Sequence, residues 1–145
     1  MKFENWRQEA ARRVSDTLNK RQDGYCQADW REYCQEIKSV PYTLRRNGVV
    51  LGLALLEVRS AKAGRSDRQS ALADVLTDLA ALLMVERERG EWITNLAEES
   101  DQEQFRKKTR EIHETVQILK QLSALWAVIP DRSLADRDVS EAADD

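Results

Sequence analysis

One face of the C-terminal third of this 145-residue chain collects Phe105, Thr109, Ile112, Val116, Leu119, Leu122, Trp126 and Ile129. Steps of three and four residues sustained over that length place these side chains together only on an α-helix. Pro130 cannot continue the helix, and the acidic stretch Glu98 to Glu103 suits the positive end of its dipole. The other apolar residues repeat the pattern. Phe3, Trp6, Ala10, Val14 and Leu18 describe a first helix, expected to stop at the polar cluster Asn19 to Gly24. Trp30, Tyr33, Cys34 and Ile37 describe a second, with Asp29 as its expected N-cap. Leu72, Val75, Leu76, Leu79, Leu82 and Leu83 form a stripe wide enough for a central bundle member, with Ser66 or Asp67 as cap and Gly90 as terminator. Trp92, Ile93 and Leu96 predict a short helix or turn.

Between the second and central helices runs Val40-Pro41-Tyr42-Thr43-Leu44-Arg45-Arg46-Asn47-Gly48, followed by an apolar run to Leu56. Proline suits a first helical turn, so Pro41 is read as the entry to a third helix, with Leu44, Leu51, Leu55 and Val58 on one face. Asn-Gly is also a strong hairpin signal, but the run from Val49 lacks strand alternation. A helix passing through Asn47-Gly48 is therefore predicted, with Leu51, Leu53, Leu55 and Leu56 holding the core and the small Gly48 allowing close approach. With no strand-like alternation, internal repeat or long heptad array, the fold class is all-α. The expected architecture is a compact bundle of five or six helices over residues 1–130. Residues 131–145 contain only Leu134 and Val139 as large apolar side chains and are expected to form a flexible acidic tail.

Charge is segregated. The tail sums to −4, so the rest of the chain is nearly neutral although the whole is −3. Residues 86–104 carry −5, and the segments on either side, 1–85 and 105–130, carry +3 each. Three basic concentrations result: Arg45-Arg46, Lys62 with Arg65, and Arg106-Lys107-Lys108-Arg110. Were the third and last helices packed together, these cations would line one surface suited to phosphates rather than to base edges.

The search for catalytic chemistry finds none. His113, the sole histidine, lies beside the apolar stripe with no nucleophile or orienting partner at a suitable spacing. Gly64-Arg65-Ser66 lacks the glycine and lysine spacing of a phosphate loop. Glu86-Arg87-Glu88-Arg89 reads as ion-paired surface, and a helical enzyme using Glu86, Glu88 or Glu91 with a divalent ion ranks last. Cys26 and Cys34 have no further Cys or His with which to complete a tetrahedral metal site and are read as reduced structural thiols. No cofactor or metal is expected. The apolar runs fall short of the ~20 residues of a membrane span and the N-terminus lacks an apolar signal core, so a cytoplasmic protein with no membrane partner is expected. Trp6, Trp30, Trp92 and Trp126 sit on apolar stripes and are read as core or protein-interface anchors.

The Val40 to Leu56 segment, followed by Phe105-Arg106-Lys107-Lys108-Thr109-Arg110-Glu111 and the apolar helix through Leu119-Lys120-Gln121-Leu122, resembles the small helical subunit of the type III-B CRISPR effector, the Cmr complex. The match is carried by Pro41, Asn47, Gly48, Leu53, Ala54, Leu56, Phe105, Arg106, Thr109 and Glu111. Val40 stands where the family has Leu before the proline, Val49 where it has Leu after Asn-Gly, and Leu55 where it often has an aromatic residue. The resemblance implies a non-catalytic subunit that stacks with copies of itself into a minor filament against the guide-bearing backbone subunits. Its partners would be those backbone subunits, the large subunit, and guide and target RNA. Charge clustering beside the matched motifs nominates Arg45, Arg46, Arg106, Lys107 and Arg110 as RNA contacts. The competing reading is a helical adaptor with no nucleic-acid role, using Trp6, Trp30 or Trp92 as exposed anchors.

Overall fold

The computed structural model describes residues 3–63, 70–87 and 90–128. Those residues form six helices: α1 (Phe3–Gly24), α2 (Gln27–Asn47), α3 (Val49–Ala63), α4 (Ala71–Leu82), α5 (Glu91–Ala97) and α6 (Gln102–Val128). No strand occurs among them, and the all-α class and the helix count agree with the periodicity. The proposed acidic tail lies outside the described residues, as do Ser66, Asp67, Arg65 and Ile129.

The α2–α3 boundary differs from the sequence reading. Pro41 does not open a helix but lies inside α2, whose buried side chains Trp30, Tyr33, Cys34, Ile37, Val40, Pro41 and Leu44 form one continuous stripe across it. Proline forfeits a single backbone bond there, and burial of that stripe outweighs the loss. Asn47-Gly48 marks the true break. Gly48 has φ +81° and ψ 163°, a conformation open essentially to glycine alone, and its carbonyl accepts the Gly52 amide at 2.8 Å as α3 begins.

The second glycine of the segment has a different role. A Cβ on Gly52 would lie 2.8 Å from Leu44 Cδ2, 3.0 Å from Leu44 Cα and 3.1 Å from the Thr43 carbonyl oxygen. Its missing side chain lets α3 fold back against the α2 backbone as an antiparallel hairpin, with Arg59 reaching Glu36 further along at 3.9 Å. Leu53 and Leu56 are fully buried as expected, but Leu51, Leu55 and Val58 are 66%, 46% and 52% exposed. They face away from the bundle, because the close contact at Gly52 turns the other side of α3 inward.

Other boundaries follow from local chemistry. α1 continues through the polar cluster to Gly24, since Arg21 and Gln22 turn inward rather than into solvent. Cys26, not Asp29, precedes the first residue of α2, and Asp29 occupies its first turn. Ser70 caps α4 by accepting the Ala73 amide at 3.1 Å. That helix ends with Met84 N–H on the Ala81 carbonyl and Val85 N–H on the Ala80 carbonyl, which holds Met84 at φ +60° where glycine is usual. Asp101 accepts the Glu103 and Gln104 amides at 3.0 and 3.4 Å and starts α6.

The core holds Val14 and Leu18 of α1, the α2 stripe, Leu53 and Leu56, Leu72, Val75, Leu76 and Leu79, and Ile112, Val116 and Leu119 of α6. A polar knot lies within it. Arg21 donates Nε–H to Asp78 Oδ2 at 2.7 Å and Nη2–H to Oδ1 at 2.9 Å, while the Tyr33 hydroxyl donates to the same carboxylate at 2.6 Å. Tyr25 donates to Asp74, and the guanidinium lies over both phenol rings at 5.7 and 6.0 Å. Burial, reinforced by Asp78, pushes the Tyr33 phenol well above its ordinary value; burial, reinforced by the hydrogen bond to Asp74, does the same to Tyr25. The knot joins α1, α2 and α4, and supplies the donors without which two carboxylates could not be buried.

Candidate nucleic-acid interface

Helix α6 packs mainly on α2 and α1, and touches α3 only slightly. Its direction relative to α2 is set at one end by Trp30 and Trp126, whose rings lie 6.3 Å apart. Because α2 and α6 also pack on one another along their length, the two helices run antiparallel. From Trp30, α2 climbs about 22 Å to Arg45; from Trp126, α6 climbs about 24 Å to Arg110. Arg45 and Arg46 are thus brought to the same end of the α2–α6 pair as Arg106, Lys107 and Arg110, although sixty residues of chain separate Arg46 from Arg106. All five are exposed. Arg45 and Arg46 occupy the last turn of α2, where cations complement the helix dipole, and Arg106 and Arg110 stand one turn apart on α6.

The other cations divide differently from the sequence reading. The pairing helix is α2, which carries Arg45 and Arg46, and not a helix opening at Pro41. Lys62 is carried about 15 Å along α3 from Gly52, toward the opposite end of the bundle. Lys108 is engaged by Glu99 at 2.8 Å, a contact that holds the Glu99 carboxyl below its usual range. Arg87 makes two 2.9 Å hydrogen bonds to Glu57 and a third, of 3.2 Å, to Ser60, so the arginine of the Glu-Arg-Glu-Arg stretch pins the α4–α5 connection onto α3.

Beside this end stands Tyr42, 59% exposed, whose hydroxyl accepts from Arg46 Nη1 at 2.8 Å. Sequence reasoning passed over it; its place off the α2 stripe, three and four residues before two arginines, was the available signal. The tryptophans are mostly core: Trp30 and Trp92 are 6% and 9% exposed, so they do not act as exposed anchors, and Trp6 is half-buried. Among the described residues the exposed large apolar side chains are instead Met84, Leu125 and the α3 stripe of Leu51, Leu55 and Val58. His113 is half-buried. Both cysteines are free thiols, with Cys26 exposed and Cys34 buried; burial pushes the Cys34 thiol up to about 11. Among the described residues no three His, Cys, Asp or Glu side chains group to hold a metal ion, and no helix is long and apolar enough to cross a membrane.

Comparison with known families decides the relationship. The family model described as CRISPR-associated protein (Cas_Cmr5) matches residues 5–125, which takes in all six helices except their outermost ends. The chain belongs to the Cmr5 family. It is thus a CRISPR-associated subunit of the type III-B effector complex, as the Pro41 to Leu56 and Phe105 to Glu111 segments implied. No curated protein and no solved structure gives a significant match. Within this Cmr5-family chain the two matched segments lie on α2–α3 and on the first turns of α6.

Proposed function

We propose that this Cmr5-family chain is a non-catalytic structural subunit that stacks with copies of itself in the type III-B complex and steadies guide and target RNA through their phosphates, in cytoplasmic antiviral defence. The observation that supports the RNA role is the antiparallel pairing of α2 with α6, which gathers Arg45, Arg46, Arg106, Lys107 and Arg110 at one end. Cations arranged in this way neutralise a backbone without reading base identity, as a subunit serving guides of any sequence requires. The α3 stripe Leu51, Leu55 and Val58 supports the protein-binding part of the role, because three large apolar side chains at steps of four and three residues form a ridge on the outer face. That ridge also favours the second reading, an adaptor that binds only protein.

Reconstitution separates the two. An R45A/R46A/R106A/K107A/R110A variant is expected to enter the complex normally and to weaken its hold on guide–target duplex. Unchanged RNA affinity in the assembled variant would leave only the adaptor.

A further inference from the structure

Tyr42 is one of the most exposed large side chains of the bundle, and it sits among cations rather than on the apolar ridge of α3. Arg45 and Arg46 follow it at i+3 and i+4, the two positions that neighbour it on a helix surface. The hydrogen bond from Arg46 Nη1 to its hydroxyl, at 2.8 Å, restrains the phenol at the rim of the basic end. The fold makes little use of the ring: the buried face of α2 runs through Ile37, Val40, Pro41 and Leu44, and Tyr42 points off it.

We propose that Tyr42, oriented by Arg46, is a stacking platform for an unpaired RNA base, so that this end of the bundle prefers single-stranded RNA to a continuous duplex. The inference rests on the RNA-contact reading of the five cations. Phosphate contacts alone hold single and double strands alike, whereas an aromatic face and a guanidinium plane are useful only where a base has left its stack. An aromatic residue one turn before two arginines supplies both kinds of contact on one stretch of helix. A protein partner would instead be met by apolar neighbours, and the nearest exposed apolar stripe is on α3.

The test uses the full chain and fluorescence anisotropy with a labelled unstructured oligouridine and a labelled blunt RNA duplex at low salt. Tyr42→Ala is expected to weaken oligouridine binding roughly tenfold, with duplex binding and both salt slopes unchanged, because it removes a stacking face and no charge. Tyr42→Phe and Tyr42→Trp keep a ring but lose the Arg46 hydrogen bond, and are expected to keep most of the affinity. Equal binding by Tyr42→Ala and wild type would overturn the platform, as would equal losses on both RNAs or a loss in Tyr42→Phe as large as in Tyr42→Ala. Undisturbed RNA binding by Tyr42→Ala with impaired entry into the complex would assign the ring to a protein contact and overturn it too. The R45A/R46A variant tells the two readings apart. If its affinity and salt slope match wild type, the RNA reading itself fails; if both fall while Tyr42→Ala is silent, only the platform fails.

Discussion

Replacing Arg21 by Met leaves a similar length of apolar chain in α1 but removes the cation from the carboxylate of Asp78. The Asp78 side chain is 12% exposed and that of Arg21 27%, so the pair is largely shielded from water. Breaking one partner of a buried, bidentate pair costs roughly 3–5 kcal/mol. Here Asp78 keeps the hydrogen bond from Tyr33, and the guanidinium edge is partly wet, so about 2–3 kcal/mol is expected. For a domain of this size that loss lowers the melting temperature by about 8–12 °C. Thermal and urea unfolding followed by circular dichroism would measure it. Asp78→Leu on its own leaves Arg21 with only the 3.8 Å contact to Asp74, whereas the double variant R21M/D78L removes both charges of the pair. The double variant should therefore lose about 2 kcal/mol less than the sum of the single losses. Strict additivity, or a loss below about 0.5 kcal/mol for Arg21→Met, would refute the claim that this knot ties α1, α2 and α4 together.

Two other predictions concern the same framework. Gly48→Ala should cost about 1–3 kcal/mol from its backbone conformation alone, since the space around it is open. Gly52→Ala sets a helix-propensity gain of about 1 kcal/mol against backbone atoms at 3.0–3.1 Å that cannot turn aside, for a net loss of roughly 1 kcal/mol in urea unfolding. A stabilised Gly52→Ala would contradict the close α2–α3 packing. Alkaline titration gives the other. The folded Tyr33 phenol and Cys34 thiol are both raised, so the unfolded chain releases their protons first and the stability present at neutral pH falls as pH rises. The decline should begin near pH 9 through Cys34 and steepen above about pH 10 through Tyr33, by roughly 1.4 kcal/mol per unit, with the less buried Tyr25 adding a smaller part. Tyr33→Phe should remove the share of Tyr33 and leave that of Tyr25, and a flat profile between about pH 9 and 11 would count against the burial of these groups.

Helix identity was legible in this chain because the stripes of α2, α4 and α6 are long, and each buries a face at helical spacing. The boundaries were harder to read where two local signals competed. Pro41 carries a start signal and Gly48 a break signal, and tertiary burial of Val40, Pro41 and Leu44 decided for the glycine. The same contest misassigned Leu51 and Leu55, since the direction in which α3 faces depends on the close approach at Gly52, which periodicity does not encode. The polar knot was invisible because its members, Arg21, Tyr25, Tyr33, Asp74 and Asp78, come from three helices and the turn after α1, and look like ordinary surface or stripe residues until those helices pack. For the candidate interface, the sequence shows the five cations as two clusters. Their meeting at one end depends on the α2–α6 pairing that Trp30 and Trp126 establish, and Tyr42 was missed because a single tyrosine off the stripe carries no pattern of its own.

The most direct test of the central claim is the salt dependence of RNA affinity for wild type and the R45A/R46A/R106A/K107A/R110A variant, both confirmed folded by their melting curves. Each phosphate contact contributes about 0.7 to the slope of log affinity against log salt for a single strand and about 0.9 for a B-form duplex. If the five cations act together on one backbone, the variant binds more weakly at low salt and its slope flattens by roughly 3–4 units. Superimposable lines for the two proteins would contradict an RNA-binding end built from α2 and α6.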